Sequence, residues 1–93
     1  MNTPAQQRRD RIEALVVEAE RLLASANHES IKEQVQLASR NLAEASTWVR
    51  QGNFDSRPSI MRIVDRILDL AETRLRLVDE ALTAHGSDAK WVG

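Results

Sequence analysis

The sequence has no cysteine and no tyrosine, one phenylalanine, two tryptophans, three glycines, two prolines and two histidines. Each scarcity removes a class of chemistry. Without thiols there is no disulfide, no thiolate-held metal and no cysteine nucleophile. Phosphate-cradling loops need glycines at fixed spacing, and neither G-x-G-x-x-G nor G-x-x-x-x-G-K-[ST] occurs. A carboxylate-bridged di-metal bundle would need Glu-x-x-His pairs. The residues three before His28 and His85 are Ser25 and Leu82, so neither imidazole belongs to such a pair. The expectation is therefore a non-enzymatic chain with no cofactor and no metal. No apolar run approaches the roughly 18 residues of a membrane span, and the polar start MNTPAQQRRD lacks the apolar stretch of a secretory signal. A cytoplasmic protein, bacterial or phage-encoded and without membrane contact, is the simplest expectation.

Charge is equally uninformative about a polyanionic partner. The net charge is −1, and residues 1–46 carry 6 basic and 7 acidic side chains against 7 and 7 in residues 47–93. Nucleic-acid binders usually show a basic excess or stripe. The only local basic run is Arg8, Arg9 and Arg11, and Asp10 and Glu13 dilute it. Nucleic acid is thus a secondary possibility, one that needs a dimer to bring two copies of that run together.

What is present is helical periodicity. Ninety-three residues, 42% hydrophobic and 29% charged, suit one soluble domain that buries roughly 60–65% of its unfolded surface. Thr3-Pro4 predicts a helix start, with Thr as N-cap and Pro in the first helical position. Ile12, Leu15, Val16, Ala19, Leu22, Leu23 and Ala26 then form one apolar face. Ile31, Val35, Ala38, Leu42, Ala45 and Val49 form another, about 120° out of phase with the first if the helix ran on. Leu37 and Trp48 would keep the first phase, and no Gly or Pro interrupts the span, so a single long helix is the alternative. The phase change, with the capping-box pattern Ser30-Ile-Lys-Glu33, favours a turn near Asn27. Gly52 is expected in the left-handed position that ends the second helix. Asp55 or Ser56 is expected to cap the third, with Pro58 in its first turn and Phe54 plugging the bundle end.

The third helix carries more apolar surface than one neighbour needs. Val64, Leu68, Ala71, Leu75, Val78 and Leu82 make one line, and Ile60, Ile63, Ile67, Leu70, Leu77 and Ala81 make a second about a quarter-turn away. The combined arc is about 200°, where a surface helix usually needs about 100°. The fold class predicted is all-α, an antiparallel three-helix bundle with helices at about 4–26, 30–51 and 57–84. Residues 1–86 form its one domain and 87–93 a short tail, the helix stopping at His85-Gly86. The second line is expected to be a homodimer seam.

The expected function is that of a small helical protein–protein interaction module, an adaptor, inhibitor or regulator, binding itself and another protein. The expected contact residues are Leu37, Trp48, Leu70, Arg74, Leu77 and Trp91. Trp48 and Leu37 lie outside the buried line of the second helix, and tryptophan is enriched at interfaces. Arg74 stands in the middle of the second apolar line, where it can snorkel, pair across an interface or hold an anion. The last of these is the basis of a third possibility, a small all-helical enzyme with a site between subunits. Arg57, Arg62, Arg66 and Arg76 alternate with Asp65, Asp69, Glu72, Asp79 and Glu80 and read as one solvated face, with Glu72 and Arg76 as an i, i+4 pair.

Overall fold

Three helices form, and the chain does turn between the first two. The computed structural model describes residues 3–92, with side chains described as far as Ala84. Helix α1 is Pro4–Ser25, α2 is Glu29–Arg50 and α3 is Pro58–Val92, with a 3-10 turn at Phe54–Ser56 before α3. No strand occurs among the described residues, and none of their helices is long and apolar enough to cross a membrane.

Thr3 caps α1 as its residue type predicts. Its backbone is extended, its hydroxyl accepts from the Gln6 amide at 3.1 Å, and Pro4 follows. The turn into α2 is tighter than the capping box implied. α2 begins at Glu29, and the His28 carbonyl accepts from the amides of Ile31 and Lys32 at 3.1 and 3.0 Å. His28 is therefore the N-cap and Ser30 lies in the first turn, where Glu29 also suits the positive end of the helix dipole.

The connection to α3 departs further from expectation. Asn53, not Gly52, takes the left-handed conformation, with φ 70° and ψ 12°. Asparagine is one of the few non-glycine residues that visits this region routinely, and the Asn53 carbonyl accepts from both the amide and the hydroxyl of Ser56. Asp55 caps α1 rather than α3: its Oδ1 accepts from the Ala5 amide at 2.8 Å. That carboxylate satisfies an otherwise orphaned donor and sits at the favourable end of the α1 dipole. α3 instead starts from the Arg57 carbonyl, with Pro58 as its first residue. At its far end α3 runs through Gly86 to Val92, so the predicted stop and the separate tail are not seen. One helical glycine costs only about 1 kcal/mol relative to alanine, and no proline follows it.

Ion pairs fix the helix directions. Arg8 meets Asp65, Arg11 meets Asp69 and Arg21 meets Asp79. The near-constant offset means that α1 and α3 run the same way, in step. α2 runs against both, with Gln34 bonded to Arg74. A single core fills the space between, and Leu22, Val35, Leu42, Val49, Val64 and Leu68 are its largest fully buried members. The α2 line is buried throughout, as is the first α3 line except Leu82, which is partly buried. Ala19, Ala38, Ala45 and Ala71 are buried too, which lets the helix axes approach closely. Phe54 is buried, and the 3-10 turn that carries it contacts all three helices and closes one end. On α1 the buried line is Ala5, Ile12, Ala19, Leu22 and Ala26, with Leu15 beside it. Val16 and Leu23, expected inside, are more than a third exposed because each lies one residue further round.

Asp55→Ala is expected to lower stability by about 1–2 kcal/mol, as the loss of a charged cap does, and Asp55→Asn by less. Asn53→Ala should cost about 1–2 kcal/mol for left-handed backbone. Gly52→Ala should be neutral or gain about 0.4–1 kcal/mol, because a Cβ there meets nothing within 4 Å. Urea melts of the four variants at constant slope check all three statements.

Candidate interaction surface

The two sides of α3 differ in how far their side chains are satisfied within the chain. On the α1 side almost every charge has a partner. Arg8 grips Asp65 with two parallel bonds, Nε to Oδ1 at 3.0 Å and Nη2 to Oδ2 at 2.9 Å, and is only 19% exposed. Arg11 reaches Asp69 at 2.8 Å and Glu72 at 3.4 Å, and Glu72 also takes Arg76 at 3.2 Å. Arg21 joins Glu18 and Asp79. The hydrogen bond that Arg11 donates to Asp69 is the main cause raising its pKa, and the one that Arg21 donates to Glu18 is the main cause raising that of Arg21. Arg21 in turn holds the Glu18 carboxyl below its ordinary value of 4.5. Most of these pairs are exposed and individually weak. The bidentate, half-buried Arg8–Asp65 pair is the strongest.

This ladder is the feature that sequence reasoning missed. Asp65, Asp69, Glu72 and Asp79 were assigned to one solvated face, whereas they form the edge of α3 that faces α1. No short-range pattern reveals it, because the partners lie 57–61 residues away. The only trace is that Arg11 and Arg21 each precede a buried position of the first helix, and that Arg8 lies between Ala5 and Ile12 at helical spacing.

On the α2 side the balance is reversed. Ile63, Leu70 and Leu77 are 43%, 49% and 58% exposed, and Leu37 of α2 is 36% exposed. Ile67 is half-buried against the core between them. Leu37, Leu70 and Leu77 are thus on the surface as expected, whereas Ile60, from the same α3 line, is buried in the core. Trp48 is half-buried and packs against the core, so it is both a structural and a surface residue. Trp91 lies outside the residues whose side chains are described. Arg74 is half-buried; its Nη1 donates to the Gln34 side chain at 3.0 Å, and its Nε, like Oδ1 of Asn41, is buried with no partner among the described residues. An open trough of about 370 Å³ runs along this side, lined by Glu44, Arg62, Ile63, Arg66, Ile67 and Leu70.

The trough has aliphatic walls, Ile63, Ile67 and Leu70, with the charges of Glu44, Arg62 and Arg66 along it. Among the described residues no group of three or more His, Cys, Asp or Glu is placed to hold a metal ion. No protein family, curated protein or solved structure matches the chain.

Arg8→Ala should cost about 1–2 kcal/mol, because it strands the half-buried Asp65 carboxylate; Arg11→Ala should cost less than about 1 kcal/mol. Acid melts test the Glu18 pair separately. A carboxyl with a depressed native pKa stabilises the fold above its unfolded pKa and loses that contribution as pH falls through the native value. Stability of the parent chain should therefore fall more steeply than that of Glu18→Gln as pH drops below about 4.5.

Proposed function

We propose that this chain is a small non-enzymatic interaction module, an adaptor, inhibitor or regulator. In this reading it works in the cytoplasm as a homodimer joined along α3, and it offers the remaining surface around Leu37, Trp48 and the Trp91 end of α3 to another protein. The observation that carries the reading is the surplus apolar line of α3. Ile63, Leu70 and Leu77 are large aliphatic side chains left in water along one face while a complete core exists on the other.

Magnitudes favour an interface. Full burial of a Leu or Ile contributes about 1.5–3 kcal/mol, so three half-exposed ones on each of two subunits offer several kcal/mol. The chain exposes 6363 Å², where a compact protein of its mass would expose about 5,400 Å². The open trough contributes to that excess. A standard interface removes about 800 Å² per partner. The nucleic-acid reading has less support, because Arg8 and Arg11 are engaged by α3 carboxylates and only Arg9 of that run is unpaired among the described residues. The enzyme reading has less still, because Arg74 is bonded to Gln34 beside an open trough.

Replacing Leu70 and Leu77 together by Ser should leave helicity and melting temperature nearly unchanged while raising the dimer dissociation constant at least tenfold. Sedimentation equilibrium beside circular dichroism reads both. A variant that unfolds would place the two leucines in the monomer's core; one that dimerises as before would place the seam elsewhere. Trp48→Ala should lower both stability and partner binding, since its ring is half-packed inside.

A further inference from the structure

We infer that the seam is antiparallel, α3 of one protomer against α3 of a second copy, crossing at the level of residues 72–73. This rests on the dimer reading above and specifies its geometry. The first ground is spacing. Ile63, Ile67, Leu70, Arg74, Leu77 and Ala81 recur at intervals of 4, 3, 4, 3 and 4, which read the same in both directions. Laid against itself in reverse about residue 72, the line places Ile63 on Ala81, Ile67 on Leu77 and Leu70 on Arg74 of the partner. These are the alternating layers of an antiparallel coiled coil, and this centre uses all six positions at once.

The second ground is charge. In this register the solvent-side positions that immediately precede seam residues 67, 74 and 81 pair about residue 73, as g meets g′ in an antiparallel coil, and this sets Arg66 against Glu80 of the opposite protomer, twice by symmetry. Both side chains are exposed, and neither has an ion pair within the described residues. The other α3 carboxylates whose side chains are described differ: Asp65, Asp69, Glu72 and Asp79 are all held by arginines of the same chain. The carboxylate left over is therefore the one that faces a free arginine across the proposed seam. On that same flank Thr73 meets its own copy, a place where a charge would repel itself.

The third ground is Arg74. Parallel pairing would set Arg74 against Arg74 in one layer, with like charges on half-dry surface. Antiparallel pairing sets each against Leu70 instead. One polar residue in an otherwise apolar seam acts in this way to select orientation and register.

Because the chain has no cysteine, single spin labels can be placed cleanly at Thr73→Cys and Ala84→Cys in the full chain. In the antiparallel dimer the two Thr73 labels lie close, near the 8–10 Å interaxial distance plus their linkers, and the two Ala84 labels lie about 35 Å apart along the axis. Charge exchange gives an independent readout. Arg66→Glu alone and Glu80→Arg alone should each raise the dissociation constant roughly tenfold, and an equimolar mixture of the two should restore association as a heterodimer with both pairs attractive. A dimer whose Ala84 labels are as close as its Thr73 labels, or whose charge variants associate like the parent, would overturn the antiparallel seam and leave the dimer reading intact. A parent chain that stays monomeric would overturn both and assign the stripe to a different protein.

Discussion

A helix held between two neighbours buries an arc that those neighbours define, and the apolar arc of α3 is wider than α1 and α2 can cover. Everything else about the surface follows from that mismatch. Val64, Leu68, Ala71, Leu75 and Val78 point into the bundle and are buried, while Ile63, Leu70 and Leu77, turned further round, are left in water. Evolving those three positions to polar residues would cost the monomer little, since they contribute little to its core. Their alignment along one face of α3, where Val16, Val17 and Leu23 of α1 are exposed on a different helix, is the physical basis for proposing them as an interface.

The orientation of that face is not left to hydrophobic packing alone, which is tolerant of rotation. Along α3 the carboxylates Asp65, Asp69 and Asp79 are tied to arginines of α1, and Arg74 is tied to Gln34 of α2. Together these bonds fix which part of α3 faces outward. At the closed end, the Asp55 carboxylate reaches back to the first turn of α1 while Phe54 beside it is buried, in a 3-10 turn that contacts all three helices. Individually such contacts are modest; their combined effect is to hold one rotation of α3 over its alternatives.

Much of the architecture was legible in the order of residues. The change of phase between Leu22 and Val35 favoured a turn over one long helix, and the 4, 3 spacing of the second and third helices placed their buried lines correctly. What was not legible depended on distance in sequence. Asp55 has the local signature of a cap for the helix that follows it, yet it caps a helix fifty residues earlier, because the reversal of α2 brings the loop to that helix's start. Arg8, Arg11 and Arg21 look like solvated charges until α1 and α3 are seen to run in step. Gly52 and Gly86 were given the usual roles of glycine, and in both places the backbone took another course: Asn53 adopted the left-handed turn, and α3 continued. The surface stripe was legible in advance because helical periodicity is local.

The central claim is that the outward stripe of α3 is buried against a second copy. Light scattering of the unmodified chain across a concentration series, at low and high salt, tests it most directly. The account predicts a mass near twice the 10.5 kDa of the chain, persisting at high salt because the seam is mainly apolar and salt screens only its flanking ion pairs. A mass that stays at 10.5 kDa through the millimolar range would contradict it.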